Sequence, residues 1–346
     1  MKKFLLSLLG IALLALAVFA FILTRDGELT TPTGNGTVEL EAGVFEAFPL
    51  PDYAAEFVKD DYKSYLIEVE PGIKIHVLEV GTGYPVYMQH GAPTTGFLYR
   101  NVVNELPQDQ FRIIMPTMVG LGFSSKIPAS QHTFDNHTRW MNEALKQLEL
   151  EELIYVGHDW GGPIGMGTLV RSPELIEGAV ILNTAFGAPT ESGTLPTLLK
   201  VVKTPVIGEL LLEGVTSTFS SMPGLQADPG SIPDDVLALY ERPVAESGNG
   251  KGPLAIVRMA ADGPDHPTAE ALRGIDAYIE GLAVPTAIVW GLNDPFLGER
   301  VSEMVDHFPN ADVTESAAGH FLQEEGDGPE KIAAAVQRVY DQIQDK

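Results

Sequence analysis

Beyond residue 62 the chain falls into short runs of apolar and polar positions. Ser64–Glu70 and Ile73–Val80 carry strand-type patterning, and Pro71-Gly72 between them predicts a hairpin. Pro85–Gln89, Phe111–Pro116, Leu153–Val156, Ala179–Leu182 and Thr286–Gly291 are further strand candidates, with Asp312–Glu315 as a last short one. Between them lie helical patterns. Phe134, His137, Met141, Leu145 and Leu148 share one face of a helix, which makes His137 a structural histidine, and a final helix covers Glu330 to about Ile343. Strand and helix in alternation predict an α/β domain with a mainly parallel sheet flanked by helices. The rhythm stops after Asn183. From 186 to 273 the chain has scattered Pro and Gly with helical fragments (Leu195–Val202, Glu209–Val215, Asp234–Tyr240), the pattern of an inserted helical cap between core halves 52–185 and 274–346. Substrate pockets tend to form where such an insert meets the strand ends.

The ends differ from this pattern. Met1-Lys2-Lys3 precedes an uncharged run, Phe4 to Leu23. That is the form of an export signal, with Val18-Phe19-Ala20 as a cleavage site, and the run is also long enough to span a bilayer if retained as a tether. An exported protein, periplasmic or extracellular, is the expectation. Residues 24–51, rich in Thr, Gly, Pro and Glu, read as a flexible linker.

Composition adds a few limits. The 346 residues are 45% apolar and 20% charged, as in a folded globular protein. There is no cysteine, hence no disulfide and no thiolate metal site. A formal net charge of −25 argues against nucleic acid as a partner and for a heavily hydrated acidic surface. The loop Met118–Ser124 is glycine-rich but lacks the G-x-G-x-x-G spacing, so no dinucleotide site is read there.

The chemistry concentrates at strand exits. Gly157-His158-Asp159-Trp160-Gly161 follows the Leu153–Val156 run and opens a helix-compatible segment. This is the setting of a nucleophile elbow, with aspartate as the nucleophile. His90-Gly91-Ala92-Pro93 follows another strand, and the backbone N–H of Ala92 could face a developing negative charge. Asp294 lies just past Thr286–Gly291, and His320 just past the last strand. Singly these are a helix cap, a turn residue and a polar loop residue. Nucleophile, acid and histidine at three strand exits, in that chain order, form the order of an α/β-hydrolase triad.

The motifs His90-Gly91-x-Pro93-Thr94, Phe97-Leu98-Tyr99-Arg100-Asn101, Gly157-His158-Asp159-Trp160-Gly161-Gly162, Asp294 and Gly319-His320-Phe321-x-Gln323-Glu324 resemble the haloalkane dehalogenases of the α/β-hydrolase superfamily, over about 62–344. Tyr240-Glu241-Arg242-Pro243 and Gly252-Pro253 add to the likeness, while His-Asp-Trp-Gly-Gly is shared with epoxide hydrolases. The resemblance implies a small apolar substrate, water, and neither metal nor organic cofactor; no H-E-x-x-H ligand set occurs. It also implies that Asp159 attacks sp³ carbon to form an alkyl ester, that His320 activates water, and that Asp294 orients His320. A carboxylate suits this chemistry because its ester can be hydrolysed, whereas an ether left by serine could not. Ala92 and Trp160 would supply backbone N–H groups to the oxyanion, and the Trp160 indole would face the leaving halide.

The chain also departs from that family. A second halide donor is normally an Asn after His-Gly or a cap tryptophan. Here Ala92 takes the first place, and the tryptophans are Trp140, Trp160 and Trp290, none in the insertion. One lost buried donor costs roughly 1–3 kcal/mol. Phe186, Phe219 and Tyr240 are candidates to line the pocket. An epoxide hydrolase is the alternative, but it needs a phenolic acid, and Tyr240 is the only tyrosine of the insertion unless Tyr278 also reaches the pocket. A non-catalytic binding protein on the same fold is a further alternative.

Overall fold

A computed structural model describes residues 17–21, 23–59, 61–193, 195–215 and 217–345. Its strands are β1 (Thr37–Leu40), β2 (Gly43–Ala47), β3 (Lys63–Glu70), β4 (Ile73–Gly81), β5 (Tyr84–Gln89), β6 (Phe111–Pro116), β7 (Leu153–Gly157), β8 (Ile176–Leu182), β9 (Thr286–Gly291) and β10 (Asp312–Ser316). They form one sheet in the order β1-β2-β3-β4-β6-β5-β7-β8-β9-β10. Pairing is antiparallel from β1 to the β4–β6 contact and parallel from β6 through β10. The parallel half holds the site, because its strands all end on one edge.

The helices used below are α1 (Arg100–Asn104), α2 (Phe134–Gln147), α3 (Gly161–Val170), α4 (Thr197–Lys203), α5 (Asp234–Ala245), α6 (Gly252–Arg258), α7 (Pro267–Glu280), α8 (Val301–His307) and α9 (Gly328–Gln344). Strand alternation builds two cores. On β7, Leu153 and Tyr155 face a cluster with Trp140 and Met141 of α2, Ile164 of α3 and Ile275 of α7. Ile154 and Val156 face the opposite cluster, with Val102 of α1, Leu239 of α5 and Val336 of α9. Each such fully buried side chain is worth on the order of 1.5–3 kcal/mol, so the sheet is fixed from both faces. His137 is buried on the core face of α2, where its spacing had placed it.

Two boundaries differ from the sequence reading. Residues 24–51 are not a free tether. Thr30 pairs with Lys126, and β1 and β2 extend the sheet as a hairpin turned at Gly43, whose φ of +134° favours glycine. The Thr/Gly/Pro-rich composition hides the alternation in Thr37–Leu40 and Gly43–Ala47. The cap boundary at 273/274 cuts through α7, a continuous helix whose Ile275 and Ile279 belong to the core. Between β8 and β9 no strand occurs among the described residues, and α4 to α7 fill this insertion. Most of the export-signal stretch lies outside the described residues; among those described, no helix is long and apolar enough to cross a membrane.

Candidate active site

Asp159 sits on the turn from β7 into α3 with φ of +50°, a strained position for a residue with a side chain. Neighbouring glycines make the approach possible. A Cβ on Gly161 would lie 2.1 Å from the carbonyl of Gln89, and one on Gly91 only 2.3 Å from Asp159 Cβ. The backbone is then tied down, with the Asp159 N–H donating to Asn183 O (2.8 Å) and Thr184 Oγ1 donating to Asp159 O (2.6 Å). The Ala92 N–H donates to Asp159 Oδ1 at 3.0 Å. Burial raises the Asp159 carboxyl above its ordinary range, against the opposing pull of His320 and the N–H groups of Trp160 and Ala92.

The acid and the histidine come from β9 and β10. Asp294 Oδ2 lies 2.7 Å from His320 Nδ1, so the imidazole presents Nε2 towards the elbow, 3.7 Å from Asp159 Oδ2. Asp294 is also held by the N–H groups of Phe296 (2.8 Å) and Leu297 (3.1 Å) and by Asn183 Nδ2 (2.9 Å). Burial alone would raise its carboxyl; His320 and these donors overcome that and hold it at about 2. For His320 burial works against the charged form, yet Asp294 and then Asp159 outweigh it and raise the imidazole above its usual value. One strongly anionic partner and one displaceable partner flank a single base. The arrangement can deliver a carboxylate to a substrate and then a proton acceptor to water.

The structure brings Asp159, Asp294, His320, Ala92 and Trp160 together, and the candidate pocket aromatics are each engaged in packing or hydrogen bonding. Phe186 packs edge-on to His307 and Phe308, at 5.9 and 6.0 Å between ring centres. Phe219 is buried in the second core. Tyr240 is buried too, its hydroxyl bonded to Glu324, which grips Arg100 with both carboxylate oxygens. Tyr278 feels the charge of Glu174, just before β8, at the edge of the sheet away from the site. Neither phenol is placed as an acid beside Asp159. The aromatic next to His320 on the open side is Phe296, 6.1 Å between ring centres and 46% exposed.

Three further residues shape the site. Asn183 receives the Gly291 N–H on Oδ1 (2.7 Å) while its Nδ2 bonds Asp294, so β8 positions the acid. The His158 ring nitrogen Nε2 lies 2.8 Å from the carbonyl of His320. Burial holds His158 near 3, hence neutral and a donor to that carbonyl. From the insertion, Leu225 O accepts the His320 N–H (2.9 Å), and Gln226 Oε1 accepts the Phe321 N–H (2.8 Å). Of these, only Asn183 carried a signal in sequence: a carboxamide at a strand exit level with the nucleophile. No group of three or more ligand side chains suited to a metal occurs among the described residues.

Comparison with known proteins identifies the fold and the family. The alpha/beta hydrolase fold family profile matches residues 84–327. The cis-3-alkyl-4-alkyloxetan-2-one decarboxylase of Shewanella oneidensis is 34% identical over 263 residues, covering 73% of this chain and 81% of its own. Haloalkane dehalogenase 2 of Mycobacterium tuberculosis is 30% identical over 270 residues, 76% of this chain and 90% of its own. The crystal structure of haloalkane dehalogenase DatA from Agrobacterium tumefaciens C58 superimposes with a TM-score of 0.69 at 22% identity, covering 84% of this chain and 100% of that one. The chain belongs to the alpha/beta hydrolase fold family and, within it, to the haloalkane dehalogenase family. It is a haloalkane dehalogenase-like alpha/beta hydrolase.

Proposed function

We propose that the chain displaces a leaving group from saturated carbon through Asp159, acting as a haloalkane dehalogenase-like hydrolase on small apolar substrates, with the insertion as the cap. The observation that carries this reading is Asp159 held by the Ala92 N–H, facing a histidine whose other nitrogen is bonded to Asp294. Asp159 forms a C–O bond as the C–X bond breaks, and halide leaves with the bonding electrons. The ester has lost the negative charge of Asp159, one of the influences that raise the His320 pKa. His320 thereby becomes neutral more readily, at the step that needs a base. It takes a proton from water as the oxygen attacks the ester carbonyl. The N–H groups of Ala92 and Trp160 hold the oxyanion. Collapse returns Asp159, and the alcohol leaves with a proton from His320. The net reaction is haloalkane and water to alcohol and hydrogen halide.

Incubation with bromo- and chloroalkanes tests this. Wild type should release halide, and His320→Ala should stop as an alkyl ester on Asp159, seen as added mass on the intact chain. No halide and no adduct across the panel rejects the reading.

The Ala92 methyl, where a second halide donor would stand, favours a second reading. In an oxetan-2-one, the substrate class named by the relative from Shewanella oneidensis, the group displaced from the ring carbon is a tethered carboxylate rather than a free halide. Loss of CO2 from the opened product, with Asp159 departing, gives an alkene and consumes no water. His320→Ala would then still form alkene, which separates the two readings.

A further inference from the structure

Five large apolar side chains project from the insertion within residues 198–210: Leu198, Val201, Val206, Ile207 and Leu210, each 36–57% exposed. Elsewhere among the described residues such side chains are mostly scattered, except for Val18, Phe19 and Phe21 in the N-terminal apolar run. Scattered exposed apolar residues need no explanation; a cluster marks an interaction surface.

The charges around this strip are quenched. Glu209 is bonded by both terminal nitrogens of Arg258 (2.6 and 2.8 Å), and Glu213 by Lys251 (2.6 Å). With Lys200 and Lys203 against Glu209 and Glu213, residues 197–213 carry no net charge, in a chain whose total is −25. The acidity that would repel an anionic surface lies elsewhere.

A single ammonium joins this strip to the N-terminal run. Lys251 Nζ, besides holding Glu213, donates to the carbonyl of Leu23 at 2.5 Å. The residues that follow are built into the domain, with Asn249 Nδ2 donating to Glu28 O (2.7 Å) and Thr30 paired with Lys126. Leu23, which closes the uncharged run, therefore meets the domain at the edge of the exposed strip, since Glu213 is only about 10 Å of helix from Ile207.

We propose that this face of the insertion, Leu198 to Leu210, rests on the surface of a phospholipid bilayer into which residues 4–23 insert beside it. About 20 uncharged residues suffice to span the hydrocarbon core, and the neighbouring apolar side chains would sit at the headgroup boundary. The same insertion covers His320 through Leu225. If the function proposed above holds, apolar substrate reaches Asp159 from the lipid side.

The absence of cysteine makes the test direct. Leu198→Cys, Ile207→Cys and, as a control on the far edge strand, Val313→Cys are each labelled with an environment-sensitive fluorophore in the full chain and reconstituted into phosphatidylcholine vesicles. The labels at 198 and 207 should lose most of their emission to brominated lipid and resist iodide, while that at 313 stays open to iodide. Open access to iodide at 198 and 207 overturns the proposal. So does shielding from both quenchers, which would mean that protein covers the face, and so does failure of the chain to float with the vesicles. None of these readouts depends on the reaction catalysed.

Discussion

His320 and the pair His132–His137 are buried alike, yet burial ends in opposite places. His132 and His137 face each other at 3.1 Å near the buried Lys126, and the outer nitrogens of both rings lack a partner. No carboxylate there offsets the cost of burying charge. His132 falls to about 3 and Lys126 to about 7, its ammonium held by the carbonyls of Gly122 and Ser124 at 2.6 Å. His320 faces Asp294 and Asp159, and its pKa is raised. A buried imidazole becomes a usable base only through the carboxylates placed against it. The first group is packing; the second is chemistry.

Removing the anions should erase that contrast. Asp159→Asn is expected to lower turnover by about 10⁴-fold or more, in halide-release or alkene assays, while leaving the fold intact by circular dichroism. Asp294→Asn should cost on the order of 10³-fold. It also removes the main influence raising His320, so the acid limb of the pH–rate profile, where His320 must lose its proton, should move to lower pH. A profile that does not move would show that Asp294 is not what tunes the base. Linkage gives a companion sign: Asp294 contributes stability above its unfolded pKa of about 3.9, lost as pH falls towards about 2.

Glu324→Gln breaks the buried Arg100–Glu324–Tyr240 network rather than the triad. Leaving Arg100 unpaired should destabilise by about 3–5 kcal/mol in denaturant unfolding, with a far smaller loss of turnover in the surviving folded enzyme. The smallest effect is expected from His132→Leu combined with His137→Leu. The folded pair refuses protons that the unfolded chain accepts below about pH 6.5, so wild-type stability falls as pH drops through that range. The double variant should show a shallower fall of Tm between pH 6.5 and 4, and an unchanged pH–rate profile. A shifted profile would mean that the two settings are coupled.

What could be read from the sequence follows from how local each signal is. Asp159, Asp294 and His320 each stand past the end of a strand candidate, and their chain order supplied the long-range link. The contacts of Tyr240 and Phe186 were not legible because neither a helix face nor a strand-exit loop says what it meets. Tyr240 finds Glu324, far along the chain, and Phe186 finds α8. The β1–β2 hairpin was hidden by turn-type composition. Residue 273 resembled a boundary only because α7, though it follows a Pro/Gly-rich stretch, is a core helix. His158 is legible in neither way, since its role is a hydrogen bond to a backbone carbonyl.

That last contact ties the loop of the base to the turn of the nucleophile. His158, one residue before Asp159, grips the main chain of His320 from the sheet side. The insertion meets the same stretch through the Leu225 carbonyl, the carboxamide of Gln226, the N–H groups of Ala227 and Asp228 on Glu325, and Tyr240 on Glu324. The spacing between Asp159 and His320 is therefore held from both sides of the loop, by one imidazole from the sheet and by main-chain and carboxamide contacts from the insertion.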